Sequence, residues 1–330
     1  MRCTNKALCL GLAIMMTVAS GCGIGKNKAT LANPYDVYNT TASVGITSND
    51  KSVAKTYFAS LLCVSEDISL GIDTTDSQVA EGAATFNLAT NSVVYAKNIY
   101  KKLYPASTTK ILTAYIALKY CDDLDANVTI SENAVNQESD SSVCNLKSGD
   151  VVKLRDLLYG LMLRSGNDAA IAIAEHVSGD VESFAALMNQ EASALGATQS
   201  HFVNPNGLPD DNHYTTVYDM YLLFAKAIEN ETFVDIISTK SYDVIYTNAD
   251  GEAEEHTWEN TNLYLAGKEK SPEGFTIVGG KTGTTGAAGH CLVLYSYNAS
   301  GQPIISIVFK ADGKSNLYLL MNEMLQGFAN

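Results

Sequence analysis

The stretch Ile277–Gly286 reads IVGGKTGTTG, and its glycine–lysine–threonine centre fits two unrelated folds. A nucleotide-binding P-loop needs a glycine five residues before the glycine of Gly-Lys-[Ser/Thr], and it needs a helix after the lysine. Position 275 is Phe275, and the segment that follows the stretch, GHCLVLYSY, reads as a strand. The stretch therefore predicts a strand that displays Lys281–Gly283, and it argues against a phosphate loop.

The composition of the whole chain is that of a globular protein with a large core. The chain has 330 residues, of which 46% are hydrophobic and 18% charged, so we expect one large domain or two interleaved subdomains. Its formal net charge is −14. Because no basic stripe is available to neutralise phosphates, the sequence predicts no nucleic-acid partner.

The N-terminal segment 1–22 is typical of an export signal. Arg2 and Lys6 precede an apolar run, Ala7–Ala19, that is too short to span a bilayer comfortably. The run ends in VASGC, which resembles a bacterial lipobox, with Cys22 at the position that is lipidated. The segment predicts export and attachment to the outer face of the cytoplasmic membrane through a lipid on Cys22. The alternative is ordinary secretion after cleavage at a small residue.

Residues 23–57 are polar and have no sustained hydrophobic period, which predicts a tether between the membrane and a folded domain at 58–330. Four cysteines fall in that domain: Cys63, Cys121, Cys144 and Cys291. Four cysteines allow three complete pairings, and the sequence does not choose among these pairings and free thiols.

Strand patterns lie at both ends of this domain and helix patterns lie between them. Two strand-like runs flank Ala89–Ser92, and strand patterns return after about Phe233. The predicted helices are one after Pro105, then Leu154–Leu163, Asp168–Val177, Val181–Leu195, Val217–Ile228 and one at the C-terminus. The pattern predicts an α+β fold in which the N- and C-terminal strands share a sheet and a helical lobe is inserted.

Three short motifs carry side chains suited to acyl transfer. Ser107-x-x-Lys110 begins the helix after Pro105, where burial can lower the pKa of a lysine until it accepts a serine proton. Other Ser-x-x-Lys copies lie in the polar tether, where nothing desolvates the lysine. Ser165-x-Asn167 stands at the break between two predicted helices, and Lys281–Gly283 lies on the predicted strand.

In this order the three motifs match the set found in penicillin-binding proteins and class A β-lactamases. From about Ala83 onward the chain resembles the low-molecular-mass penicillin-binding proteins, which are serine-type D-Ala-D-Ala carboxypeptidases. The similarity extends to the residues around the motifs, in the segments YPASTTKILTAYIAL, LMLRSGNDAAIAIAEHVSG, SHFVNPNGL and GGKTGTTGAAGHCLV. The resemblance implies a β-lactamase/transpeptidase-like fold with an antiparallel sheet flanked by helices, and a hydrolase that needs neither a metal nor another cofactor.

The resemblance also implies roles for the motif residues on a peptidoglycan stem peptide, and covalent inhibition by β-lactam antibiotics. Ser107 would attack the carbonyl between two terminal D-alanines, with Lys110 as general base. Ser165 would pass a proton to the leaving amine, and Asn167 would orient Lys110 and the substrate amide. Lys281 would set a positive potential.

The remaining implied roles concern anions. The backbone N–H groups of Ser107 and Thr284 would hold the oxyanion of the intermediate. The hydroxyls of Thr282 and Thr285 would bind the terminal carboxylate, and Gly283 would leave room for the ligand along the backbone. Relatives often carry an arginine near that carboxylate, and Lys314 is the nearest basic residue in this chain.

Two departures and two alternatives accompany the resemblance. Many relatives continue into a β-rich domain with an anchoring helix, whereas this sequence stops at Asn330, so membrane attachment is expected from its N-terminus. A class A β-lactamase is disfavoured because Gly166 replaces the usual aspartate and SHFVNPNGLPDDNHY holds no glutamate. An inactive wall-binding sensor would lack a catalytic group, and none is missing.

His213 is expected near the cleft rim, without a metal.

Overall fold

A computed structural model describes residues 66–68 and 79–327 of the chain. The predictions for segments 1–22 and 23–57, including Cys22, concern residues outside these ranges, as does Cys63. The strands of the described part are β1 (Ala80–Asn87), β2 (Ser92–Lys97), β3 (Asn127–Thr129), β4 (Val151–Lys153), β5 (Ser241–Thr247), β6 (Ala253–Glu259), β7 (Thr276–Thr285), β8 (Gly289–Tyr297) and β9 (Pro303–Ala311). The helices are α1 (Lys110–Tyr120), α2 (Glu132–Val135), α3 (Leu154–Tyr159), α4 (Asn167–Ser178), α5 (Val181–Ala194), α6 (Val217–Ala227), α7 (Glu231–Ser238) and α8 (Lys314–Gln326).

The central sheet has five strands in the order β2-β1-β9-β8-β7, and each neighbouring pair is antiparallel. The N-terminal strand β1 pairs with the C-terminal strand β9, so Ala83 lies opposite Val308. This pairing confirms the prediction that the two ends of the domain share one sheet. The strand β7, which carries the Lys-Thr-Gly triplet, lies at an edge.

Both faces of this sheet are buried, which explains why β8 and β9 read as continuous apolar runs. Alternate residues of β8 contact different cores: Leu292 and Leu294 pack with α8, whereas Val293 packs with the helical lobe. In the lobe core, Phe86 of β1 stacks on Tyr221 of α6, with ring centroids 3.9 Å apart. Because successive side chains of a strand point to opposite faces, the sheet forms the middle layer between α8 and the lobe.

The lobe departs from the prediction in two places. It contains a second sheet in the order β3-β4-β5-β6, which the sequence did not reveal. Strands β3 and β4 have three residues each, and only Trp258 of the polar strand β6 is buried, so no apolar alternation marks them. Helix α7 was also missed: its eight residues begin after an Asn230 cap, at the point where strands were expected.

The predicted helix Leu154–Leu163 is α3 followed by a π-helical turn at Gly160–Arg164. Gly160 is closely enclosed: a Cβ there would stand 2.6 Å from the Sγ of Cys144 and 3.1 Å from the ring of Trp258. The turn ends at Ser165, whose φ of 63° is left-handed. This irregular turn separates α3 from α4 and presents Ser165 at the break, as the sequence predicted.

Three cysteines fall within the described residues, and Cys121, Cys144 and Cys291 are all free thiols. Cys144 and Cys291 are buried, and Cys121 is partly buried. Of the alternatives that the sequence left open, free thiols and not disulfides are therefore found at these three residues.

None of the helices in the described ranges has the length and apolarity needed to cross a membrane.

Candidate active site

Ser107 lies on a 3₁₀ turn, Ala106–Thr109, directly before α1. Pro105 precedes the turn, and Thr108 closes it by donating its hydroxyl to the Pro105 carbonyl at 2.7 Å. Ala106 has a left-handed φ of 48°. The chain therefore bends sharply at the serine, which leaves the Ser107 side chain partly exposed while its neighbours Thr108 and Thr109 are buried.

Lys110 is fully buried, and its Nζ has three oxygen neighbours. It lies 2.7 Å from Asn167 Oδ1, 2.7 Å from the backbone oxygen of Asn206 and 3.1 Å from Ser107 Oγ. The first two oxygens can only accept hydrogen bonds. A neutral amine therefore directs its two N–H groups to Asn167 and Asn206, and its lone pair faces the one neighbour that has a proton to give, the Ser107 hydroxyl.

The surroundings of Lys110 favour this neutral form. Burial lowers the pKa of Lys110 well below 10.5, and the positive charge of Lys281 lowers it further. The buried carboxylate of Asp168 acts in the opposite direction but is the smaller influence. Lys110 is thus placed to accept the proton of Ser107.

The Ser165–Asn167 turn is fixed from below by Asp168. The Asp168 carboxylate accepts hydrogen bonds from the backbone N–H groups of Cys144 at 2.9 Å, Leu146 at 3.2 Å and Ala169 at 2.8 Å. These bonds tie the first turn of α4 to the segment before β4. Neither Ser165 nor Asn167 caps a helix with its side chain, so both side chains are free to face the lysines.

Lys281 lies within β7 and reaches across to the helical lobe. Its Nζ donates to Ser165 Oγ at 2.9 Å and to the Thr282 carbonyl at 3.0 Å. Burial lowers the pKa of Lys281 to about 7. The two lysines of the site are therefore linked to different hydroxyls, Lys110 to Ser107 and Lys281 to Ser165.

Gly283 allows β7 to approach the nucleophile. A Cβ at this position would stand 2.9 Å from the backbone nitrogen of Ser107 and 3.0 Å from the Pro105 carbonyl oxygen. Any side chain would push the strand away from the serine turn. Ser107 and Thr284, the residue after Gly283, both line the cleft at this point, and an oxyanion site formed by their N–H groups stays a prediction.

The cleft has two ends that meet at Ser107. One end is lined by Thr282, His290 and Lys314, together with Ser165 and Thr261. The other is lined by acidic Glu138 and Asp140, together with Asn167, Gly207 and Thr285. Thr284 lines both ends. Thr282 and Thr285, which were predicted to act on one carboxylate, therefore lie at opposite ends.

The hydroxyls of these two threonines also have different partners. Thr282 Oγ1 is 2.6 Å from Thr261 Oγ1, whereas Thr285 Oγ1 accepts from the Ala288 backbone N–H at 3.0 Å. Thr284 Oγ1 lies 3.2 Å from Nδ1 of His290, which neighbours it on β8. The part of the chain that the structure describes offers the Lys314 ammonium no ion-pair partner.

Sequence reasoning missed one contact of the base. The Asn206 acceptor is a backbone carbonyl, which leaves no side-chain signature in a sequence. A Pro-Asn-Gly turn was the sole available signal, and it marks a turn without saying what the turn faces. His213 was also misplaced: it is fully buried beneath the cleft, not at its rim.

This arrangement of a serine, two buried lysines and an asparagine between an antiparallel sheet and a helical lobe defines a penicillin-recognising serine acyl-transferase. Residues 72–313 match the model of the peptidase S11 family, described as D-alanyl-D-alanine carboxypeptidase. The chain belongs to this family.

Similar proteins include the D-alanyl-D-alanine carboxypeptidase DacF of Bacillus subtilis, 30% identical over 253 residues, which cover 74% of this chain and 61% of DacF. A D-alanyl-D-alanine carboxypeptidase of a Streptomyces species is 33% identical over 243 residues, covering 69% of this chain and 80% of the relative. The match thus spans less than two thirds of DacF and most of the Streptomyces protein.

Two solved structures are similar as well. The crystal structure of a Streptomyces DD-transpeptidase superposes with a TM-score of 0.71 at 31% identity, covering 76% of this chain and 98% of that one. The D-alanyl-D-alanine carboxypeptidase DacD of Francisella tularensis gives a TM-score of 0.67 at 27% identity, covering 84% and 76%. The observed antiparallel sheet, helical lobe and covering helix are therefore the fold of this family.

The two lysine pKa shifts predict the pH dependence of acylation by a fluorescent penicillin. The second-order acylation rate reports the free protein. It should rise with pH while Lys110 loses its proton, and fall as pH passes through about 7 because Lys281 loses its charge. In Lys281→Arg the charge does not titrate in this range, so the falling limb should disappear even if the rate is lower overall. A falling limb that persists unchanged in Lys281→Arg would contradict this assignment.

Proposed function

We propose that the protein is a serine D-alanyl-D-alanine carboxypeptidase that removes the terminal D-alanine from peptidoglycan stem pentapeptides through an acyl-enzyme on Ser107. The observation that carries the proposal is the placement of the buried Lys110, whose two acceptor-only neighbours leave its lone pair facing Ser107 Oγ. The reaction begins when Lys110 takes the hydroxyl proton and Ser107 Oγ bonds to the carbonyl carbon of the penultimate D-alanine.

The negative charge that forms on the carbonyl oxygen is held by the backbone N–H groups of Ser107 and Thr284. The proton on Lys110 then passes through the Ser165 hydroxyl to the leaving nitrogen, the C–N bond breaks and D-alanine departs. Lys110 is neutral again, so it can accept a proton from the water that attacks the ester. As the ester C–O bond breaks, Lys110 returns this proton to Ser107 Oγ, so that water releases the shortened peptide and both residues regain their starting state.

Charge at the two ends of the cleft sets the direction of the peptide. Lys314 lines one end, and the buried Lys281 lies behind it against Ser165 and Thr282, so this end suits the terminal carboxylate, with the Thr282 hydroxyl as a further donor. Glu138 and Asp140 make the other end negative, and a carboxylate there would be repelled. We therefore assign the terminal D-alanine to the end at Lys314 and the rest of the stem to the end at Thr285.

Product analysis tests the reaction. A synthetic stem pentapeptide incubated with the purified protein should lose one alanine, and one only, by mass spectrometry. Ser107→Ala should abolish both this product and covalent labelling by a fluorescent penicillin, because no nucleophile remains. Ser193→Ala, which alters an exposed serine near the end of α5 that lines neither end of the cleft, is the matched control and should behave as wild type.

Nitrocefin separates the rival activity. Slow, stoichiometric consumption supports the carboxypeptidase, whereas fast multiple turnover would identify a β-lactamase. A wild type that neither labels nor releases alanine would leave a wall-binding protein without turnover as the better account.

Lys314 provides a test of substrate direction. Lys314→Gln should lower kcat/KM on an acetylated peptide ending in D-Ala-D-Ala by about 5-fold, mostly through KM, because an exposed ion pair is worth up to about 1 kcal/mol. Lys268→Gln removes another exposed lysine that lines neither end of the cleft, and it serves as the control. An unchanged KM in Lys314→Gln would remove Lys314 from the carboxylate subsite.

We further propose that the protein is exported and held at the outer face of the cytoplasmic membrane by a lipid on Cys22. Support comes from the positive, apolar and small-residue order of segment 1–22. A second membrane-directed element besides one acyl chain is usual for stable attachment, and a lipid on Cys22 with two or more chains would satisfy that need.

Metabolic labelling with a fatty acid tests the anchor. Wild type should carry the label and sediment with membranes, whereas Cys22→Ala should be unlabelled and appear in the soluble exported fraction. Cys9→Ala lies within the apolar run of the same segment and should retain the label. No label on wild type would favour ordinary secretion, and label on Cys22→Ala would place the lipid on another residue.

A further inference from the structure

The loop 203–213 lies directly against the segment that carries the nucleophile and the base. Two successive carbonyls of this loop bind side chains of α1: Pro205 O accepts from Thr113 Oγ1, and Asn206 O accepts from Lys110 Nζ, each at 2.7 Å. Gly207 has a left-handed φ of 88°, and a Cβ there would stand 1.9 Å from the Ala106 carbonyl oxygen. The loop therefore forms one wall of the lysine site, and its position sets where the Asn206 carbonyl lies.

His213 ends this loop, and its ring nitrogens make two different hydrogen bonds. Nδ1 accepts from the Val203 backbone N–H at 3.2 Å, so in the neutral ring the proton resides on Nε2. Nε2 then donates to Thr109 Oγ1 at 2.9 Å. The ring thus joins the first residue of the loop to Thr109, the residue immediately before the base.

The environment of the ring maintains this tautomer. His213 has no solvent exposure, and Phe202 packs edge-on against it with ring centroids 5.5 Å apart. Burial lowers the pKa of His213 to about 4; the charge of Asp210 opposes this shift, while His201 and Lys110 add to it. The ring is neutral at neutral pH.

We propose that His213 is a positioning residue for the general base: by joining Val203 to Thr109, it holds the loop so that the Asn206 carbonyl accepts one N–H of Lys110. This inference rests on the proposed role of Lys110. Two acceptors are needed to fix the lone pair of a neutral amine on Ser107. Without the Asn206 acceptor in place, the amine can rotate about its terminal bond, and the lone pair leaves the serine hydroxyl for part of the time.

We expect the larger effect on the chemical step, because His213 itself lines neither end of the cleft, whereas the loop that it holds orients Lys110 and contributes only one wall, including Gly207, to one end. Misplacement of a reacting group by about 1 Å can cost on the order of 100-fold in rate. Acylation by a penicillin separates binding from chemistry. Stopped-flow traces at several penicillin concentrations give both K, the dissociation constant of the noncovalent complex, and k2, the rate constant of acylation within that complex.

The test compares His213→Gln and Thr109→Val with His176→Gln. His176 is exposed near the end of α4, so His176→Gln is the matched control and should equal wild type. In His213→Gln, k2 should fall by roughly 10- to 100-fold with K within about 2-fold of wild type. The rising limb of its pH profile should move to higher pH, because a loosened site admits water to Lys110. Thr109→Val keeps the ring and removes its Nε2 acceptor, and it should change k2 in the same direction.

Two results for His213→Gln would overturn the inference. One is a k2 and a pH profile equal to those of wild type. The other is a lower k2 together with weaker noncovalent binding but no shift of the pH profile, which marks a structural role alone. If His213→Gln does not fold, Thr109→Val decides: a slowed k2 with an intact melting temperature supports the inference, and a wild-type k2 refutes it. A wild type that is never acylated on Ser107 would instead defeat the proposed function.

Discussion

The structure depends above all on the removal of one ammonium group from water. An isolated charged lysine in a protein interior is costly, and the group responds by losing its proton unless a counter-charge holds it. Lys110 is fully buried, and its close neighbours are oxygens without formal charge. The fold therefore lowers the pKa of a strongly basic side chain at the start of α1 and so favours its neutral amine. Burial of Lys110 costs folding free energy, and the same burial makes its amine able to act as a general base.

Three segments distant in sequence must meet for this to happen, and each is fixed by a local constraint. Gly283 lets β7 approach the serine turn, and Gly207 lets the loop 203–213 lie on the carbonyl of Ala106. Asp168 binds three backbone N–H groups beneath the Ser165–Asn167 turn, so Asn167 is supported from the side away from the cleft. The side chains that face the substrate are thus held by packing and backbone contacts that never touch it.

Much of this could be anticipated from the sequence, and the parts that could not share a physical reason. The sheet of terminal strands was predictable because both of its faces are buried, so β8 and β9 consist mainly of apolar residues. The serine, lysine and asparagine motifs were predictable because their chemistry needs particular side chains. The second sheet was not, since strands of three residues and the polar β6 lack a period. The contact between Lys110 and the Asn206 carbonyl was not predictable, because every residue has a backbone carbonyl and the sequence does not mark which one faces the lysine.

The protonation state of Lys110 in the free protein is the most direct measure of the account. Uniform ¹⁵N labelling of lysine side chains, with the Lys110 signal assigned by its absence in Lys110→Arg, allows its Nζ to be titrated by NMR. The account predicts a midpoint well below 10.5, with a neutral amine present while surface lysines are still charged. A midpoint at or above 10.5 would mean that Lys110 is an ammonium when Ser107 must lose its proton, and the central claim would fail.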